Sequence, residues 1–417
     1  MTGTWSGRLL VSAAALGVAL AGGASTSGQE HEPWAGVLDE HPSIQYATRP
    51  TTDRVARLAR ALAEGGRSLT RDTRTGYLLP VLQALGVAVE SQLLVFSKTG
   101  VQAVYSGPRN PRALFFNESV IVGYIPGAPV LELAAHDPQQ GVVFYTLDQT
   151  AAAPVLTRRT SCLSCHVSAS TLEVPGVIAR SNAVDDDGRV MPQLGANDVD
   201  HRTGHPDRWG GWYVTTVDAP ARYASRAHEG NITFSGSGNT SNQVFVDWMN
   251  SSPENRGYLS SSSDVASLLV FDHEMHAINL LTRLNWESRV SGGTPVRLVN
   301  ELADYLLFVS EAPISVPATP LPGFAAHLAS SAPADRRGRS FGQLDGSTRL
   351  LRYPCSYMVY SEAFDGLPPA VKAAVYMRMI DVLSERDARA DGAPVSADDR
   401  RAVLEILRDT KRDFPRS

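Results

Sequence analysis

Cysteine is scarce in this chain. Three occur among 417 residues, too few for a scaffold built on disulfides. Lysine is equally scarce: Lys98, Lys372 and Lys411 stand against 35 arginines, a bias we read as genome composition. Neither sign of charge dominates. The 38 basic and 43 acidic residues leave a formal charge of −5, so no basic surface for nucleic acid is expected. Long apolar runs are missing too. Leu9 to Leu20 has 12 residues, where a membrane span needs about 20. No repeat of fixed period is visible. Apolar residues still make up 43 % of the chain and charged residues 19 %. That composition buries a core and excludes a mainly disordered protein. The length suits one large domain, or several of about 100–200 residues each.

What is present begins with an export pattern. Arg8 supplies a short positive region, Leu9 to Leu20 an apolar stretch, and Gly22 and Ala24 small residues for cleavage after about Ala24. No Cys follows, which removes a lipid anchor. An uncleaved N-terminal anchor is the alternative. The mature chain is expected to be exported, in the bacterial periplasm or secreted, with no transmembrane span.

The spacing predicts an α+β fold. After a signal peptide at 1–24 and an irregular leader at 25–50, an α+β region covers 51–157. It opens with helices over Thr52 to Gly65 and Leu78 to Leu85. Short Val-, Ile-, Tyr- and Phe-rich stretches then read as strands of a meander or small sandwich: Leu93 to Phe96, Ala103 to Tyr105, Ser119 to Tyr124, Val130 to Leu133 and Val142 to Leu147. From 158 to 260 the chain is loop-rich, with strands read only at Trp212 to Val217 and Gln243 to Trp248. A stretch this long without regular structure is usually held by a cofactor, a metal or disulfides. From 261 to 417 the pattern is helical, at about 264–289, 295–311, 368–385 and 396–410.

The loop-rich region contains Cys162-Leu163-Ser164-Cys165-His166. This C-x-x-C-H spacing carries chemistry. Two thiols add across the two vinyl groups of one haem, and the next residue places its imidazole under the iron. Fewer than about one in a thousand shuffled chains of this composition contain it. Zinc would need further ligands at matching spacing, and the remaining cysteine, Cys355, lies 190 residues on. A redox-active pair would want a strand, a turn and a helix N-terminus. The expected assignment is one covalent haem c, held by Cys162 and Cys165, with His166 as proximal iron ligand. Residues 158–417 then read as one haem-binding unit.

Through these three residues the chain resembles the c-type cytochromes. The last helix, with Leu404, Ile406 and Leu407, is similar to the C-terminal helix of small cytochrome c domains. More than 200 residues separate the two, far beyond a small cytochrome, so either an insertion divides the domain or the haem sits in another fold. Arg208-Trp209-Gly210-Gly211-Trp212-Tyr213-Val214 resembles stretches of exported bacterial cytochrome-like proteins of unassigned function. That likeness implies no activity.

The far side of the iron decides between carrier and enzyme. His273 and His276 share a helical stripe with Val265, Leu269, Leu280 and Leu284, so both imidazoles need a partner. His273 is the expected distal residue. His276, His228 and Met191, the last followed by Pro192, are further candidates, as are His201 and His205 in the loop before the Trp-rich segment. Trp209, Trp212 and Tyr213 pack either on the porphyrin or in an ordinary core. Cys355 reads as a buried thiol, with thiolate ligation of iron as the alternative. The expected function is single-electron transfer with a redox partner protein or a small oxidant or reductant. The alternatives are an open-faced haem enzyme acting on peroxide or another small oxidant, with His273 or His228 as an acid–base group, or a gas-binding module.

Overall fold

The computed structural model describes residues 40–214, 257–314, 320, 322–384 and 395–416. The signal stretch, His228 and the strand expected at Gln243 to Trp248 lie outside them. Residues Gly36–Ser417 form one unit, with α+β architecture.

Two helices come first. α1 (Arg54–Ala63) is capped by Asp53, whose side chain accepts from the Ala56 N–H. α2 (Leu78–Leu85) ends at Gly86, in the left-handed conformation glycine favours. Six strands then form an antiparallel meander in sequence order: β1 (Leu93–Val95), β2 (Arg112–Asn117), β3 (Val120–Tyr124), β4 (Val130–Asp137), β5 (Gly141–Asp148) and β6 (Leu156–Arg158). The leader is not idle. Ile44 and Tyr46 are fully buried, and the Tyr46 hydroxyl donates to the Val142 carbonyl at 2.8 Å.

Register sorts the side chains between the two faces of the sheet. Phe115 pairs with Val122, Val122 with Leu133 and Leu133 with Tyr145. Tyr145 donates to Asp53 at 2.6 Å, so this face meets α1. Phe116 pairs with Ile121, Ile121 with Ala134 and Ala134 with Phe144. This second face carries the C-x-x-C-H motif and the long helix.

After β6 come a one-turn helix, α3 (Leu163–His166), and a small pair, β7 (Arg180–Asn182) with β8 (Ala196–Asp198). Then α4 (Val265–Ser291) runs 27 residues, about 40 Å at 1.5 Å per residue. Asp264 caps it, accepting from the Ser267 N–H, and Gly292 ends it. Most of its residues are buried, polar ones included. Phe116 meets Phe271 edge-on at 5.2 Å, which packs α4 on the second face of the sheet. There follow α5 (Val296–Leu306), α6 (Pro322–Ser331), whose Phe324 lies 6.0 Å from Phe116, α7 (Glu362–Asp365), α8 (Pro369–Leu383) and α9 (Ala397–Thr410). α5 packs on α4 and α8, and α9 on α8. No described helix is long and apolar enough to cross a membrane.

Three local expectations are corrected. Ala103 to Tyr105 is a 3-10 turn with Val104 87 % exposed, because no strand lies beside it to take its hydrogen bonds. Arg112–Asn117 is a central strand hidden in the sequence behind the turn residues Gly107, Pro108, Asn110 and Pro111. The helix expected to reach 311 stops at Leu306, where Phe308 and Ser310 take positive φ.

Candidate haem-attachment site

The attachment motif grows from the edge of the sheet. Arg159 continues β6, its N–H donating to the Phe144 carbonyl at 2.8 Å and its Nε to Thr146 Oγ1 at 2.9 Å. Thr160–Cys162 then turn as a 3-10 helix that runs into α3. All three cysteines are free thiols; Cys162 is half-buried, Cys165 exposed and Cys355 buried. The setting is a strand, a turn and a helix, as a redox pair would want, yet the helix has four residues. Burial, with Glu132 nearby, pushes the Cys162 thiol up, the reverse of an activated cysteine.

His166 ends the turn with its ring 4.5 Å from Phe144. Its Nδ1 lies 2.9 Å from the Gly176 carbonyl oxygen. A carbonyl only accepts, so Nδ1 carries the proton and Nε2 holds the lone pair. Nε2 has no hydrogen-bond partner among the described residues. Burial holds the ring below its ordinary pKa, which keeps it neutral.

The chain returns over the motif by a tight path. Ser168 and Thr171 form a capping box, and Leu172 and Glu173 both take positive φ. Arg283 of α4 donates to the Leu172 carbonyl at 2.9 Å and holds that bend. The Gly176 N–H donates back to the His166 carbonyl at 3.0 Å. Asn279 of α4 then bonds both backbone groups of Val177, accepting from its N–H at 3.0 Å and donating to its carbonyl at 2.8 Å.

The donor set fits a covalently attached haem. It offers two unpaired thiols on one turn, an imidazole whose Nε2 has no hydrogen-bond partner among the described residues, and a carbonyl acceptor for the Nδ1–H, the outer contact that orients a metal-binding histidine. The sheet face beside it carries half-buried Leu114, Ile121 and Ala134. On the same face Arg112 Nε and Glu132 Oε1 are buried with no hydrogen-bond partner among the described residues. Both side chains act electrostatically on His166. Among the described residues no three His, Cys, Asp or Glu side chains gather as a metal-ion site.

The histidines expected opposite the iron go elsewhere. His273 is 0 % exposed. Its Nδ1 pairs with His201 Nδ1 at 2.8 Å and its Nε2 with Ser356 Oγ at 2.7 Å. It stacks on Tyr305 of α5, and burial pushes its pKa down to about 3. Both of its ring nitrogens are thus engaged, by His201 and Ser356. His276 turns its Nε2 to Arg202 at 3.2 Å, beside Asp200. The apolar stripe on α4 was legible; the partner of its histidines is the loop at 200–208 and α5. His205 is buried 5.7 Å from the Trp209 ring. Met191 sits half-buried, its N–H on the Ala183 carbonyl at 2.9 Å.

The Trp-rich segment is core. Trp209 Nε1 donates to Asp272 at 3.0 Å, Trp212 Nε1 to the Arg180 carbonyl at 2.8 Å, and the Tyr213 hydroxyl to the Pro108 carbonyl at 2.7 Å. Cys355 is 0 % exposed, and burial alone raises its thiol. Asn279 escaped the sequence reading. Its one signal is an amide in mid-helix, which needs a partner when buried.

No family model, no curated protein and no solved structure matches this chain.

Proposed function

We propose that this chain is an exported monohaem c-type cytochrome that passes single electrons between a donor and an acceptor, either a redox partner protein or a small molecule. One observation carries the reading: the His166 Nδ1–H is committed to the Gly176 carbonyl, leaving Nε2 free beside two unpaired thiols. Cys162 and Cys165 would add to the vinyl groups, each thiol giving its proton to the vinyl carbon as the C–S bond forms. His166 would supply the axial nitrogen, and Phe144 would restrict rotation of its ring. Haem held in this way supplies a one-electron Fe(III)/Fe(II) couple.

A second reading, an open iron face that takes peroxide or a gas, is favoured by the commitment of His273 and His276 to other partners.

Haem staining after denaturing electrophoresis tests attachment. A band at the mature size is expected, and Cys162→Ala with Cys165→Ala abolishes it. A protein that loses its haem to acid acetone refutes the reading. The ferric spectrum separates the two functions: low-spin and indifferent to cyanide for a carrier, high-spin and cyanide-sensitive for an open face.

A further inference from the structure

One peptide plane lies between His166 and the long helix. The carbonyl that accepts from His166 Nδ1 belongs to Gly176, and the N–H of that same peptide group belongs to Val177. The N–H donates to Asn279 Oδ1 at 3.0 Å while the carbonyl accepts from His166 at 2.9 Å. A peptide group is planar, so fixing its N–H fixes its oxygen. Donation through the N–H also polarises the carbonyl, because hydrogen bonds in series strengthen one another in a poorly solvated site.

Asn279 suits this task. It is 2 % exposed, and its bonds to both the Val177 N–H and the Val177 carbonyl fix which way its amide points. The approach is close. A Cβ on Gly176 would lie 2.3 Å from Asn279 Oδ1 and 2.9 Å from Thr171 Cβ, so only glycine admits the amide here.

We infer that Asn279 is a positioning residue for the proximal histidine, acting through the Gly176–Val177 peptide to aim and strengthen the hydrogen bond on His166 Nδ1. The inference rests on the haem reading above. A stronger bond at Nδ1 gives the imidazole more anionic character and makes Nε2 a better donor to iron. Better donation favours Fe(III) over Fe(II) and lowers the midpoint potential. Asn279 thus places the iron's potential under the control of α4.

The test uses holoprotein and two substitutions. Asn279→Leu removes the acceptor for the Val177 N–H, and a rise in midpoint potential is expected. Asn279→Asp keeps that acceptor and, protonated, the donor as well, so its potential should return towards the wild type below the pH at which the new carboxyl ionises. A role confined to packing would give no such rescue. The exchange rate of the His166 ring N–H, read by proton NMR, supplies a readout independent of potential. It should be slow in the wild type and in Asn279→Asp, and faster in Asn279→Leu. If Asn279→Leu does not fold, the wild type and Asn279→Asp decide. Rapid exchange in the wild type overturns the inference, as does an Asn279→Asp potential that stays displaced at acid pH. An unchanged potential in folded Asn279→Leu overturns it as well. Haem staining keeps the two readings apart: a wild type without a stained band fails the attachment reading, whereas stained variants with unchanged potential and exchange fail this one alone.

Discussion

Arg208 and Asp272 form an ion pair with side chains 1 % and 3 % exposed, at 2.8 Å. Trp209 Nε1 donates to the same carboxylate oxygen. Replacing Asp272 with Leu would strand a guanidinium and an indole N–H in the core. Removing one partner of a buried pair costs about 3–5 kcal/mol. Arg208→Met strands the carboxylate instead, with a different pH dependence. Burial already pushes the Asp272 carboxyl up to about 6, against the pull of Arg208 and Trp209. A carboxyl whose folded pKa is raised gives stability that is present below its unfolded pKa and lost as pH rises through the folded one. Without Arg208 the folded value climbs further. Above about pH 6 the variant should therefore lose about 1.4 kcal/mol per pH unit relative to the wild type, until its own pKa is reached. The double variant Arg208→Met/Asp272→Leu leaves no stranded charge. It should cost less than the sum of the singles by at least about 2 kcal/mol. Urea unfolding at pH 5, 7 and 8, followed by tryptophan fluorescence, measures all three. Costs that add to within about 0.5 kcal/mol, or an Arg208→Met penalty flat in pH, would refute the reasoning.

Other outcomes follow from the same chemistry. His273→Leu should leave the haem spectrum unchanged and destabilise the chain by about 1–3 kcal/mol for each partner left unpaired, His201 and Ser356; a low-spin spectrum turned high-spin would restore His273 as an iron ligand. Burial pushes the Glu274 carboxyl up to about 8, with Tyr357 donating to it. Its contribution is present below the ordinary glutamate range and lost as pH rises from there to about 8, so wild-type stability should fall across that window and level off above it, and Glu274→Gln should flatten the fall. Mass spectrometry of the purified protein should find an N-terminus near Ser25; an intact Met1 on a cytoplasmic protein would defeat the export reading.

Local signals made much of the fold legible. Strands β3, β4 and β5 overlap the stretches read as strands, and α1, α2 and α9 lie within the stretches read as helices. β2 stayed hidden because six residues, Arg-Ala-Leu-Phe-Phe-Asn, follow a dense turn sequence. α6, Pro-Gly-Phe-Ala-Ala-His-Leu-Ala-Ser-Ser, has no amphipathic pattern. The C-x-x-C-H motif could be read because its residues are contiguous. The supports around it could not. Asn279 lies 102 residues from Val177, and only the folded chain brings them together. The stripe holding His273 and His276 announced that a partner exists; a period of 3.6 does not say which partner.

The sheet and the long helix are built from contacts of opposite range. Each strand of the meander pairs with its neighbour in sequence, so its loops close at small entropic cost. α4 reaches Asp272 to Arg208, Asn279 to Val177, Thr282 to His136 and His273 to Ser356. Each of those contacts spans at least 64 residues. Local pairing of this kind is expected to form sooner than the long-range contacts of α4. Backbone amides in mid-α4 should exchange with solvent only by global unfolding, whereas those of β6 at the sheet edge exchange through cheaper local opening. The Thr160–His166 turn follows that edge, but the chain returning over it is tied to α4 through Leu172 and Val177, so its amides should be better protected than those of β6.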